Sequence, residues 1–317
     1  VGAAIAYPFL LVLFHQSVGT AHEPVAANRI MVAALALVCA TLVPAIGLWA
    51  ACRPELTLRA RRLAYATVIA PTMYVFLGVS QGLLGIPIPD TVTWCVVWVG
   101  LTCIAYALPQ RGPETFARPD LSRVRVVHGI TAAILCLYVL FHIGNHLASL
   151  RGPEAHAAIM AAGRTVYRNP LVEPVLVATM LFQVATGLYL AWRWSAARHD
   201  FYRTFQIASG IYLSLFIVGH MNSVFIYART VQHIPTDWTF ATGTAAGLIH
   251  DPWNIRLVPH YALGVFFVLS HLLSGLRVVA LAHGVTPATA NRLWTGGAIL
   301  CACLGTIILA GLCGLRI

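Results

Sequence analysis

Nine runs of apolar residues, each close to the length of a helix that crosses a bilayer, leave this sequence little choice of architecture. They fall at roughly 3–18, 30–52, 63–84, 92–108, 126–149, 171–193, 204–228, 257–282 and 293–315, numbered as segments one to nine. The 317 residues are 59% hydrophobic and 9% charged, with mean hydropathy +0.79, and no water-soluble fold of this length could bury that much apolar surface. The expected fold class is an all-α, polytopic transmembrane helix bundle of about nine spanning helices. The chain opens at Val1 in a run that is already apolar, so the start of the first segment is expected to be missing or processed.

All 20 basic residues are arginine, which suits contact with lipid headgroups, and the formal charge of +10 reads as membrane topology rather than nucleic-acid binding. Thirteen arginines lie in the loops that follow segments two, four, six and eight: Arg53, Arg59, Arg61, Arg62, Arg111, Arg118, Arg123, Arg125, Arg193, Arg198, Arg203, Arg277 and Arg292. The opposite loops hold six: Arg29, Arg151, Arg164, Arg168, Arg229 and Arg256. The positive-inside rule then places the first set in the cytoplasm, with the N-terminus inside and the C-terminus outside. The expected location is a bacterial inner membrane. The eight cysteines lie in or beside apolar runs without any CxxC or CxxCH spacing, which reads as packing rather than iron–sulfur or covalent haem ligation.

The two halves show a degenerate repeat. Leu13-Phe14-His15 matches Leu140-Phe141-His142, and Ala45-Ile46-Gly47-Leu48-Trp49 before Arg53 matches Ala185-Thr186-Gly187-Leu188-Tyr189 before Arg193. This suggests two units: 1–110, a four-helix bundle, and 123–317, a five-helix bundle. The polar stretch 229–256, with His233, Asp237, Trp238, His250, Asp251 and Trp253, reads as a connecting loop or an irregular cap on the outer side.

Six histidines, His128, His142, His146, His220, His260 and His271, lie within or at the rims of segments five, seven and eight. An ionisable group in hydrocarbon needs a partner and often marks a cofactor, proton path or substrate site, although a hydrogen bond to a neighbour satisfies many of them. His142 stands 17 residues after Arg125, and His220 stands 17 after Arg203, on segments that run the same way. Their imidazoles are therefore expected at one height, where two neutral rings can supply both axial ligands of a b-type haem. Gly144 and Gly219 beside them are expected to let a porphyrin approach the backbone. His146, one turn beyond His142, and His260 are candidates to bond haem propionates or a quinone, or to form a shallower pair. Asn145 and Asn222 read as helix-to-helix hydrogen-bond partners or as groups that orient the imidazoles.

Several short motifs carry a resemblance. His142 with Arg151-Gly152 and Glu154-Ala155, then Gly187-Leu188-Tyr189, then Gln206-Ile207-Ala208-Ser209-Gly210 before His220, then Ser270-His271 with Gly275-Leu276, together resemble the single-chain cytochrome b membrane anchor of succinate dehydrogenases and fumarate reductases. The resemblance covers roughly 123–317. It implies an electron-transfer subunit that exchanges electrons between a membrane quinone and flavoprotein and iron–sulfur partner subunits on the cytoplasmic side, without a catalytic centre of its own. It further implies two stacked haems, with His142 and His220 on the outer iron and His271 on the inner one. The partner position for His271 falls on Gln183, a poor iron ligand, so one haem is expected rather than two. In the first unit His15 matches His142, but Ser80 and Pro44 stand where the other ligands would be, so that unit is expected to bind no haem. A haem-poor accessory anchor and a transporter remain the competing readings; the lack of Asp or Glu well inside any segment counts against the latter.

Overall fold

A computed structural model describes residues 1–19, 25–107, 120–243 and 247–317. Arg111 and Arg118, counted above among the loop arginines, lie outside the described residues. Helices are the only regular secondary structure among the described residues, and each apolar segment forms a helix or, for the third, a bent pair. These are α1 (Gly2–Val18), α2 (Ala27–Ala51), α3 (Leu58–Val68) with α4 (Ala70–Leu83), α5 (Asp90–Ala107), α6 (Ser122–Leu147), α8 (Val172–Ser195), α9 (Phe201–Met221), α12 (Leu257–Ala282) and α13 (Pro287–Leu312). Seven are long and apolar enough to cross a membrane, and α3 with α4 makes an eighth if the bent pair is one span. α1, with 17 residues, is the shorter remaining one. The sequence-based expectation of about nine spans thus becomes seven or eight by length, with α1 just below.

Lipid explains the surface. Leu35, Val96, Leu137, Val175, Ile299 and Leu300 are each more than 60% exposed, a distribution that would aggregate in water and that a bilayer requires. Side-chain hydroxyls inside the helices, such as Thr41, Thr67, Thr102 and Ser274, donate back to carbonyls one turn earlier and so carry no unpaired donor into hydrocarbon. Helix starts follow sequence chemistry. Thr57, Asp200 and Thr286 cap α3, α9 and α13 through their side chains, and Pro287 occupies the first turn of α13.

The second half forms a closed ring: α6 touches α8, α8 touches α9, α9 touches α12, α12 touches α13, and α13 returns to α6. In such a ring α6 faces α9 and α12 across the interior. The first half packs α1, α2, α4 and α5 around a cluster of Tyr7, Tyr74, Trp94 and Trp98, and α4 lies against α9 and α12. One end of the molecule is arginine-rich. There Arg61 of α3, 5% exposed, donates to the carbonyls of Ser195 and Ala196 at the end of α8, while Arg62 lies over Trp192.

At the opposite end one helix was not anticipated, and two anticipated ones run on in altered form. A 3-10 turn (Ala148–Arg151) continues α6, and α7 (Pro153–Tyr167) follows it. Gly152, with φ 110°, makes the corner between them, a conformation that glycine alone adopts without strain. Beyond α9 the chain keeps winding as a wider π-helix through Asn222–Val231. The stretch 229–256, expected as loop or cap, holds the short helices α10 (Trp238–Thr242) and α11 (Gly247–His250) and a 3-10 turn (Asn254–Arg256). Trp238 edges onto His156 of α7, so part of this stretch does lie over the histidines.

Candidate functional site

The ring places its histidines in two groups along α6, separated by the 14 residues between His128 and His142. That interval is almost four helical turns, so both imidazoles project from one face.

At the capped end His142 of α6 and His220 of α9 approach to 6.0 Å between ring centroids, with planes 69° apart. Two imidazoles on one iron require about 2 Å for each metal–nitrogen bond plus half a ring on either side, which totals roughly 6 Å. The spacing fits. Both rings are half-buried. His142 also stacks on Tyr138, and His220 lies parallel to Phe216 at 6.1 Å. His146 stands one turn along α6 with its Nε2 3.3 Å from Nε2 of His142, so iron at His142 would replace that hydrogen bond.

His260 is 3% exposed on α12 and packs against Phe216 at 4.7 Å, the same ring that lies parallel to His220. Gly144 has nothing within 4 Å of where a Cβ would lie and is exposed, and a Cβ on Gly219 would meet Phe76 of α4. The missing side chain at Gly219 admits Phe76 of the first half, and Gly144 faces open space.

Towards the arginine-rich end, His128 of α6 meets Thr186 of α8, Nδ1 to Oγ1 at 2.8 Å, and His271 of α12 meets Ser209 of α9, Nδ1 to Oγ at 2.8 Å. The glycines that do touch imidazoles are here: a Cβ on Gly187 would lie 3.4 Å from His128, and one on Gly210 would lie 3.2 Å from His271. Gln183 does not point at His271. Its amide nitrogen donates to the His128 carbonyl at 2.8 Å and to Thr131 Oγ1 at 2.5 Å, so it ties α8 to α6.

Sequence reasoning missed His156. It is 1% exposed on α7, lies 5.4 Å from His146, and has its Nε2 3.4 Å from the Asn145 amide nitrogen. Burial, and then the Arg164 charge, holds its pKa below the ordinary value of 6.5. The signal was present: His156, Met160 and Gly163 are the buried residues of α7 and recur at helical spacing. Asn222 ends α9 at the junction with the π-helix and is half-buried.

Among the described residues no three His, Cys, Asp or Glu side chains converge as a bare metal ion requires. A haem needs only two protein ligands, because the porphyrin supplies four nitrogens. Comparison with family models, with curated proteins and with solved structures gave no match. The chain is a polytopic, all-α membrane helix bundle whose second half is a ring of helices that carries these histidines.

Proposed function

We propose that the chain is a membrane-anchor cytochrome b subunit that passes electrons between membrane quinone and a flavin- and iron–sulfur-bearing dehydrogenase of the succinate dehydrogenase kind. The observation that carries this reading is the 6.0 Å approach of His142 and His220 across the ring. In it the two imidazoles would hold a b-type haem, which when bound would supply one-electron transfer. The protein's share is to hold the rings at that spacing and exclude water, with Tyr138 and Phe216 stacked on the ligands. His146, bonded to His142, is the group best placed to orient it.

The arginine-rich end is assigned to the cytoplasm, where exposed Arg53, Arg123 and Arg125 offer a positive surface to the partner subunits. Residues 1–110 form the degenerate first unit, which extends the anchor without a haem. A bacterial inner membrane, with the N-terminus inside and the C-terminus outside, follows from the same assignment. A haem-poor structural anchor is the second reading. It is favoured by one contact, the His142–His146 hydrogen bond, which already satisfies part of the cluster.

A reduced-minus-oxidised spectrum of the purified protein decides between them. The expected result is a b-type α-band that disappears in both His142→Ala and His220→Ala. No band in the wild type would remove the redox reading, and a band unchanged in both variants would remove these ligands.

A further inference from the structure

Two arginines at the arginine-rich end share the wall of a cavity. Arg203 lies in the first turn of α9 and Arg277 near the end of α12, and with Gln206 and Ser274 they line a space of about 170 Å³ between the two helices. Other arginines are spent on the protein itself. Arg61 gives its donors to the carbonyls that end α8, Arg256 meets Asp90, and Arg229 meets Glu173. Arg203 and Arg277 are held in place with donors left over. Arg203 Nη1 donates to Gln206 Oε1 at 2.7 Å, and its guanidinium lies over Trp194 at 4.7 Å. Arg277 Nε donates to Asn291 Oδ1 at 2.9 Å, and its guanidinium lies over Tyr202 at 4.0 Å. These contacts orient each planar fork and use only a single nitrogen of it.

Charge in this place is unbalanced. Two guanidiniums in the cavity wall stand against the one carboxylate of exposed Asp200, whose Oδ1 already accepts the Arg203 backbone N–H at 2.8 Å as the cap of α9. Arg125 of α6 adds a further like charge that acts on Arg203. Cations held side by side where water is scarce favour an anion between them. The unused N–H groups of a guanidinium match phosphate oxygens, which accept them in pairs. Ser274 closes the floor, because its hydroxyl donates to the Ser270 carbonyl and accepts from Trp294 Nε1. A space of this size holds several waters and so admits a phosphate group. The rest of the wall decides where that phosphate comes from. Val278 and Leu281 share the face of α12 that carries Ser274 and Arg277, and they are apolar. Such a wall matches glycerol and acyl carbons rather than a dissolved ion, and both helices are long and apolar enough to cross a bilayer.

We propose that Arg203 and Arg277 clamp the phosphate of an anionic phospholipid between α9 and α12, with Gln206 and Tyr202 holding the two forks in position. A free phosphate ion offers the same oxygens and is the alternative source. The site does not involve the histidines, so it stands or falls apart from the redox reading.

The test is native mass spectrometry of the delipidated full chain titrated with phosphatidylglycerol or with phosphatidylcholine, alongside thermal midpoints measured with phosphatidylglycerol or inorganic phosphate added. One phosphatidylglycerol per chain is expected to stay bound at collision energies that strip phosphatidylcholine. Arg203→Gln and Arg277→Gln should each weaken its binding by about tenfold or more. Arg277→Lys, which keeps the charge and loses the fork, should fall between the wild type and Arg277→Gln. Arg53→Gln, at the same end but outside the cavity, should bind as the wild type does. Equal retention of the two lipids, or full retention in both glutamine variants, overturns the site. A loss in Arg53→Gln as large as that in Arg277→Gln shows diffuse attraction to a positive face and overturns it as well. Should a glutamine variant be too unstable to purify, Arg277→Lys decides, and binding equal to the wild type then removes the clamp. Stabilisation by inorganic phosphate that equals that of phosphatidylglycerol, and that Arg277→Lys diminishes to the same extent, overturns the lipid assignment in favour of a free anion.

Discussion

Arg256 joins the two halves of the molecule and shows what a single charge does in this interior. Its side chain is 8% exposed, its guanidinium meets Asp90 of α5 at 2.5 Å, and it lies over Tyr74 at 4.6 Å and Trp253 at 4.7 Å. Removing the carboxylate leaves a guanidinium in a site with little water, so Asp90→Asn is expected to lower stability by about 3–5 kcal/mol. The check is the thermal midpoint in nanodiscs, where Asp90→Asn with Arg256→Gln should cost less than the two single changes added together. His156 gives a pH dependence. Its folded pKa lies below 6.5, so the unfolded chain takes up a proton that the folded chain resists. Stability is then lost as pH falls below the unfolded value, and the drop in thermal midpoint between neutral and mildly acidic pH should be smaller in His156→Phe. An equal drop in both would clear His156 of the effect. In the sequence, matched intervals from Arg125 and Arg203 placed His142 and His220 at one height. The roles of Gln183, Thr186 and Ser209 were not legible, because hydrogen-bond direction depends on which side of a helix faces a neighbour, and apolar runs without a polar stripe do not reveal that.

Helix existence was legible and helix shape was not. Segment three reads as one apolar run, yet α3 and α4 meet at Ile69 with a 67° bend. Pro71, in the first turn of α4, has no N–H to continue the ladder, so the break was written in the sequence while its angle was set by packing. The expected repeat is not evident in outline, since the run equivalent to α3 and α4 is the unbroken α9. α7 escaped notice because its polar face breaks the apolar run, which is how a helix at an interface differs from one that crosses. Helix contacts separate glycines that resemble each other in sequence. A Cβ on Gly47 of α2 would lie 2.8 Å from the Ala64 carbonyl oxygen and 2.9 Å from the Val68 nitrogen, both backbone atoms of α3. On Gly100 of α5 it would meet nothing within 4 Å. Gly47→Ala is therefore expected to destabilise by about 1–3 kcal/mol, whereas Gly100→Ala should stay within about 0.5 kcal/mol of the parent. Thermal midpoints measured in the same lipid compare the two, and equal losses would show that α2 and α3 do not meet as closely as described.

At the scale of the whole molecule, the number of crossings fixes which side each loop occupies. α1, at 17 residues, is about 25 Å long against a hydrocarbon core of about 30 Å, a mismatch that local thinning or flanking residues absorb at modest cost. The bent pair totals 25 residues in its two helices, long enough to cross even when kinked. If both cross, the count is nine. The loop between α4 and α5, the π-helix end near Gln232 and the C-terminus then share one face, while the α8–α9 and α12–α13 loops share the other. If α3 and α4 instead form a re-entrant pair, everything before it changes sides relative to everything after it. Contact favours one span through α3 and α4, because Arg61 and Arg62 of α3 bind the end of α8 and so share its face with Arg203 and Arg277. Reporter fusions test this directly. Alkaline phosphatase inserted at Gly85, near Gln232 or after Ile317 should be active, and a fluorescent protein inserted near Arg198 or Gly284 should fluoresce. Activity at Gly85 that disagrees with activity near Gln232 would show that α3 and α4 do not form one span.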